Sequence, residues 1–269
     1  MKKTDRSGVL FGNHINIVSL SERITAMMLI ANKRFTNLLI LLAIATASIS
    51  QAKIKISETI ERSVVLLCHT KPQSKNTLGT GFLVEPNGLV VTADHVIFNE
   101  DIGDVFEIIY AIRYTGTENR YFRVKVVHRF RDGTEGRDLA LLRSTSPAEV
   151  GPPYLKVGTG TEIGNEIWIT GFPLVFNEVK AYPFVRKGCV ASTRFSYEGH
   201  PILVLDLQSV SGFSGSPVID ISSEKVVAVV KGPPKKRRST SFTVATVIDC
   251  NDLLPDKRKP SNQGIAKKR

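Results

Sequence analysis

Short apolar runs, each closed off by Gly, Pro, Asn or Asp, recur along this 269-residue chain from residue 64 to residue 245. Runs of this length rich in Val, Ile and Leu read as strands, and the residues between them are turn formers. The candidates are Val64–His69, Gly81–Val84, Leu89–Thr92, Phe106–Arg113, Tyr121–Val127 and Leu139–Leu142. After a Pro/Gly-rich linker, Ser146 to Tyr154, come Glu166–Thr170, Phe184–Ser192, Ile202–Leu207, Pro217–Ile219, Val226–Val230 and Ser241–Ala245. Twelve strands in two sets of six suit an all-β fold of two packed antiparallel barrels, because closing each sheet removes its edges. The count alone also permits a sandwich. A short helix, Val247–Leu254, is expected to close the fold.

The first 52 residues read differently. Asn32-Lys33-Arg34 precedes the apolar run Leu38 to Ala45 and a small-residue stretch ending Ser50-Gln51-Ala52. That is the order of a secretory signal: basic segment, short apolar segment, small residues before the cut. A bilayer-spanning helix needs about 20 apolar residues, more than this run offers, so an uncleaved anchor is the second reading. Residues 1–26 are polar and unlike a signal, and Met27 and Met28 stand just before the basic segment. Translation is therefore expected to start there, with 27–52 as a signal peptide and an extracytoplasmic mature chain.

The formal net charge of +11 points at nucleic acid until it is mapped. Basic side chains cluster in residues 1–52, in Lys231 to Arg238 and in the tail 257–269, while the remaining body is mildly acidic. Lys235, Lys236, Arg237 and Arg238 could make a weak anionic surface contact, and 256–269 reads as a disordered basic tail. Three cysteines (Cys68, Cys189, Cys250) are too few for a disulfide framework, and the odd number leaves at least one free. No metal-ligand spacing occurs, so no metal or other cofactor is expected.

Chemistry concentrates in three segments. Gly212-Phe213-Ser214-Gly215-Ser216-Pro217 places a serine in a Gly-bounded turn where its hydroxyl can be exposed and backbone N–H groups can converge beside it. Val90 to His95 is an apolar strand ending in a histidine, and Asp138 opens the buried run Leu139–Leu142. A serine hydroxyl attacks an amide poorly without a base, imidazole titrates near neutral pH, and a carboxylate can hold the ring in one tautomer. The rivals are less well placed. His69 ends a strand, His128 lies in a basic strand, His200 precedes Pro201, and Asp132 sits in an exposed-looking Arg-Asp-Gly turn. Asp94 adjoins His95 and must point elsewhere.

The order His, Asp, Ser belongs to the chymotrypsin class. From about residue 60 to 254 the chain resembles trypsin-like serine peptidases, in particular the HtrA/Deg-like branch. Gly79 to Val84, Thr92-Ala93-Asp94-His95, Asp138 to Leu142, Gly171-Phe172-Pro173, Gly188 to Ser192, Asp206 and Ser241 to Ile248 carry the likeness. The resemblance implies a peptidase domain over 53–255, with barrels at about 57–145 and 155–245. It implies a serine endopeptidase acting on protein or peptide substrates, with catalytic His95, Asp138 and Ser214. The oxyanion hole would be the N–H groups of Gly212 and Ser214. Gln208 and Ser209 would floor the substrate pocket, and the strand containing Val229 and Val230 would wall it. With no acidic floor, small or medium apolar side chains are expected at the cleavage position.

The residue before the nucleophile departs from the family. Digestive trypsins carry aspartate there to pair with a new N-terminus, and HtrA-like enzymes usually carry asparagine; here it is Phe213. Activation by N-terminal insertion then has no acceptor. About fifteen residues follow Leu254, so no PDZ module is expected there. Two other readings remain: a catalytically silent barrel pair used for binding, and a polyanion- or membrane-surface-binding protein.

Overall fold

The computed structural model describes residues 58–70, 76–130, 136–174, 182–232 and 241–254, together with helical positions 23, 25, 27, 28 and 35–42. Met1–Ile54 forms one compact unit and Lys55–Arg269 another. In the first, the described apolar side chains of 35–42 are exposed. Among the described residues, no helix is long and apolar enough to cross a membrane.

In the second unit, helical residues 58–63 lead into β1 (Val64–Cys68), β2 (Thr77–Leu83) and β3 (Leu89–Thr92). A helical turn, Asp94–Ile97, follows, then the small hairpin of β4 (Phe98–Asn99) and β5 (Asp104–Val105). Next come β6 (Ile109–Tyr114), β7 (Asn119–Arg129) and β8 (Ala140–Ser144). The order β1-β2-β3-β8-β7-β6 closes into a barrel through the β1–β6 pairing. A second set comprises β9 (Glu166–Gly171), β10 (Phe184–Tyr197), β11 (His200–Leu205), β12 (Pro217–Asp220), β13 (Lys225–Gly232) and β14 (Thr243–Val247). It closes in the order β10-β11-β14-β13-β12-β9. Two closed six-stranded antiparallel barrels are the fold expected from the sequence, and the sandwich is excluded.

One expected element is absent in its stated form. Val247 is the last rung of β14, paired with Ala228, so no helix can begin there. The helical segment is a 3₁₀ turn, Cys250–Leu253, started by Asp249, whose side chain accepts from Asn251 N while Asp252 reaches back to Asp249 N. That reciprocal cap fixes where the turn begins.

Two apolar clusters fill the barrels. One occupies the first barrel and continues through Phe172, Ile219, Val226, Val229 and Ile248 of the second half; the other holds Ile167, Ile169, Leu205, Phe213, Val218 and Val230. The linker laces the halves together, with Leu155 N donating to Leu83 O (2.8 Å) and Gly158 N to Val226 O (2.8 Å). Arg113, 5% exposed, donates to the carbonyls of Arg62, Val150, Gly151 and Pro153, and its burial, with the Arg62 charge adding to it, pulls its pKa down to about 10. The buried guanidinium is thereby satisfied by four backbone acceptors. All three cysteines are free, and burial raises the Cys68 thiol to about 11.

Candidate active site

His95 lies in the helical turn directly after β3. Its ring Nδ1 stands 2.8 Å from Asp138 Oδ2, and its main-chain N donates to Asp138 Oδ1 at 3.0 Å. Both oxygens of the Asp138 carboxylate are thus engaged by one residue, and the side chain is 3% exposed. Burial raises the Asp138 pKa, but the two His95 hydrogen bonds and the charges of His95 and Lys231 outweigh it, so the net shift is downward. An ionised carboxylate accepts only, which assigns the Nδ1–H tautomer to the neutral ring and leaves Nε2 as an acceptor. Asp94 does point elsewhere: it is buried and takes both prongs of Arg129 at 2.7 and 2.9 Å.

Ser214 stands on the connection between β11 and β12, and the first barrel holds that connection in place. Ser214 O accepts from Thr80 N (2.9 Å), and Gly212 O accepts from Thr80 Oγ1 (2.7 Å). Thr80 Oγ1 also accepts from Phe172 N, and Thr80 O accepts from Thr92 Oγ1 (2.7 Å). Gly215 N donates to Val230 O (2.8 Å) on the second barrel. The turn depends on glycine at two places. Gly212 has φ +98 and Gly215 φ +85, and a Cβ would lie 2.0 Å from Phe172 O at the first and 2.0 Å from Thr80 O at the second. No other residue fits such a backbone.

The Ser211 carbonyl accepts from Leu174 N at 2.9 Å. Because a trans peptide sets its N–H opposite its C=O, the Gly212 N–H is turned the other way. Among the described residues, neither the Gly212 N–H nor the Ser214 N–H donates to a protein acceptor. Beside them, a Cβ at Gly232 would come within 3.3 Å of Ser214 Oγ, so the strand passes the hydroxyl closely. Ser214 Oγ itself makes no hydrogen bond among the described residues. His95 and Asp138 are joined; Ser214 is fastened nearby without a bond to the ring.

Phe213 is 1% exposed and belongs to the core of the second barrel, so its side chain anchors the turn from inside. Ser216 is fully buried. The rival histidines are occupied by packing, His69 stacked on Phe106 and His128 edge-on to Phe130. His200 sits near Gly136.

The pocket residues divide. Gln208 is exposed and its carbonyl accepts from Arg186. Ser209 is 8% exposed, its N donates to Thr243 Oγ1 (2.8 Å), and its Oγ has no partner. Val229 and Val230 are both 0% exposed and lie in the two core clusters, while the main chain of Val230 bonds to Gly215 and Ser216 beside Ser214. The part of β13 that reaches the site is its end, Lys231 and Gly232. Asp132, Lys235, Lys236, Arg237, Arg238 and the tail 256–269 lie outside the described residues.

The trypsin-like peptidase domain model matches residues 79–229, more than half of the chain. The chain belongs to that family. Among curated proteins, none matches this chain. Among solved structures, the chain is similar to the MamO protease domain from Magnetospirillum magneticum in its apo form (TM-score 0.54, 19% identity, 72% of this chain and 95% of that one). It is similar as well to the Rv3671c protease from M. tuberculosis in its active form (TM-score 0.54, 19% identity, 71% and 78%). A third similar structure is the HtrA-type protease AlgW with a decapeptide (TM-score 0.53, 18% identity, 71% and 62%). At these identities the likeness speaks for the fold of the trypsin-like peptidase domain.

Proposed function

We propose that the protein is a serine endopeptidase that cleaves through an acyl-enzyme. The observation that carries this reading is the buried Asp138 carboxylate taking both the ring and the main-chain N–H of His95. In that arrangement His95 Nε2 is free to take a proton, which is what a serine nucleophile requires. Ser214 Oγ adds to the scissile carbonyl carbon as its proton passes to Nε2. The carbonyl π-electrons move onto oxygen, where the N–H groups of Gly212 and Ser214 donate to the developing charge. Collapse expels the amine, which leaves with the proton from the imidazolium, and water repeats the sequence on the ester. Asp138 stays ionised throughout and stabilises the charged ring.

Gln208 and Ser209 bring no charge to the pocket, which supports small or medium uncharged side chains at the cleavage position. The order of segments from Asn32 to Ala52 supports an extracytoplasmic location, with a mature N-terminus beyond residue 52. A fluorophosphonate probe captures activated serines. It is expected to label the full chain at one site and to fail on Ser214→Ala. Folded wild-type protein that takes no label would instead favour a silent barrel pair, in line with the missing hydrogen bond from Ser214 Oγ.

A further inference from the structure

Behind the candidate triad, the loop that carries Asp138 is gripped by the C-terminal 3₁₀ turn. Arg137, immediately before Asp138, donates from Nη1 to Asp252 Oδ2 (3.0 Å) and from Nη2 to Asp252 Oδ1 (2.6 Å). Its guanidinium also lies over the Phe130 ring, 4.4 Å from the centroid. Both side chains of the pair are largely covered, at 19% and 10% exposure. Asp252 is itself immobilised, since its Oδ2 also accepts from Asp249 N at 3.0 Å. On the other flank, Gly136 has φ +61, and a Cβ there would lie 3.3 Å from Glu198 Oε2. Leu139 N donates to Arg137 O (2.9 Å) and Phe130 N to Leu139 O (3.0 Å), which tightens the turn around Asp138.

We propose that Arg137 and Asp252 form a clasp that positions Asp138, making the C-terminal turn part of what orients His95. A planar fork fixes distance and direction together, which a single point charge does not. The pair also walls a cavity of about 350 Å³ shared with His200, Pro201, Val247 and Asp249. Shortening either partner therefore widens an existing gap instead of drawing a neighbour into contact. Once the fork opens, the loop loses its tie to the C-terminal turn, and a displacement of the order of 1 Å in a catalytic group costs up to about 10² in rate. The inference rests on the peptidase reading for its kinetic consequence, but its structural consequence can be read without turnover.

The test uses the full chain carrying Arg137→Gln, Asp252→Asn, Arg137→Lys, or the exchange Arg137→Asp with Asp252→Arg. The expected result for each single variant is a fall in kcat of roughly tenfold with KM changed less than twofold, as befits a positioning residue. The exchange should recover part of the loss. Arg137→Lys keeps the charge and gives up the fork, so it serves if Arg137→Gln does not fold. The second readout is the downfield ring-proton resonance of the His95 Nδ1–H bonded to Asp138, recorded in a Ser214→Ala background. It should broaden or shift in the clasp variants while their thermal midpoints stay near the parent's. An unchanged proton resonance with the ion pair removed would overturn the clasp. So would kcat within twofold of wild type. If the wild-type enzyme takes no fluorophosphonate label, the peptidase reading fails, and the ring-proton comparison still decides the clasp.

Discussion

Asparagine at position 138 keeps the shape of the side chain and turns one acceptor into a donor. His95 aims two N–H groups at this carboxylate, the main chain at 3.0 Å and ring Nδ1 at 2.8 Å. An amide offers one acceptor for the two. If the main-chain N–H keeps it, Nδ1 must become the acceptor and the ring proton moves to Nε2. The base then has no lone pair facing Ser214. If the ring instead keeps its Nδ1 proton, a donor faces a buried donor, at a cost of about 1–3 kcal/mol. The imidazolium that forms during acylation also loses its counter-charge. Together these predict a loss of about 10⁴ in rate, as for a triad held in the wrong tautomer. That is about 5–6 kcal/mol of barrier, so the tautomer penalty supplies up to half and lost charge stabilisation supplies the rest. The assay is the rate constant for fluorophosphonate labelling, with peptide hydrolysis alongside and the thermal unfolding midpoint as a control on folding. A folded Asp138→Asn protein that labels within tenfold of wild type would refute the roles given to His95 and Asp138.

Two further outcomes follow from the same geometry. In Gly215→Ala, a methyl group meets Thr80 O at 2.0 Å and Thr92 Oγ1 at 2.3 Å on a backbone with φ +85. Labelling should fall by about 10², as when an oxyanion donor is displaced, and the thermal midpoint should drop by several degrees; near-normal labelling would mean that the turn is not pinned by the first barrel. Asp220, 2% exposed, accepts from Thr161, Asn165, Ser222 and Ser223, and although burial alone would raise its pKa, those donors hold it well below the usual carboxylate range. Asp220→Asn should cost about 3 kcal/mol in urea unfolding at neutral pH without changing activity. A depressed folded-state pKa stabilises fully above the unfolded value near about 3.9 and loses that contribution as pH falls toward the folded value. The gap between wild type and Asp220→Asn should therefore narrow below about pH 4, and a gap independent of pH would contradict the assignment.

What the sequence disclosed about this site was local, and what it hid was long-range. His95 at a strand end, Asp138 at the head of a buried run and Ser214 between glycines each carry their own context within a few residues, so each could be picked out before any fold was known. Thr80 could not. In sequence it is a β-branched residue in a strand, yet it donates to Gly212 O, 132 residues away, and accepts from Phe172 N. Phe213 illustrates the same limit, because nothing in a Gly/Ser-rich turn says whether an aromatic ring faces water or the core. For Val229 and Val230 the limit is of another kind. Val226 to Val230 is an unbroken apolar run, and without alternation no face can be assigned to pocket or core. β13 borders both clusters, with Val226 and Val229 in one and Val227, Ala228 and Val230 in the other, so the run is apolar because the strand is buried on both faces. The charge at its end is the informative part. Lys231 holds its ammonium 3.3 Å from the centroid of the Tyr197 ring and contributes to the lowered Asp138 pKa, while Gly232 beside it leaves room for Ser214 Oγ. The strand is core for five residues, and the rung that seals the interior is followed immediately by the rung that lies beside Ser214.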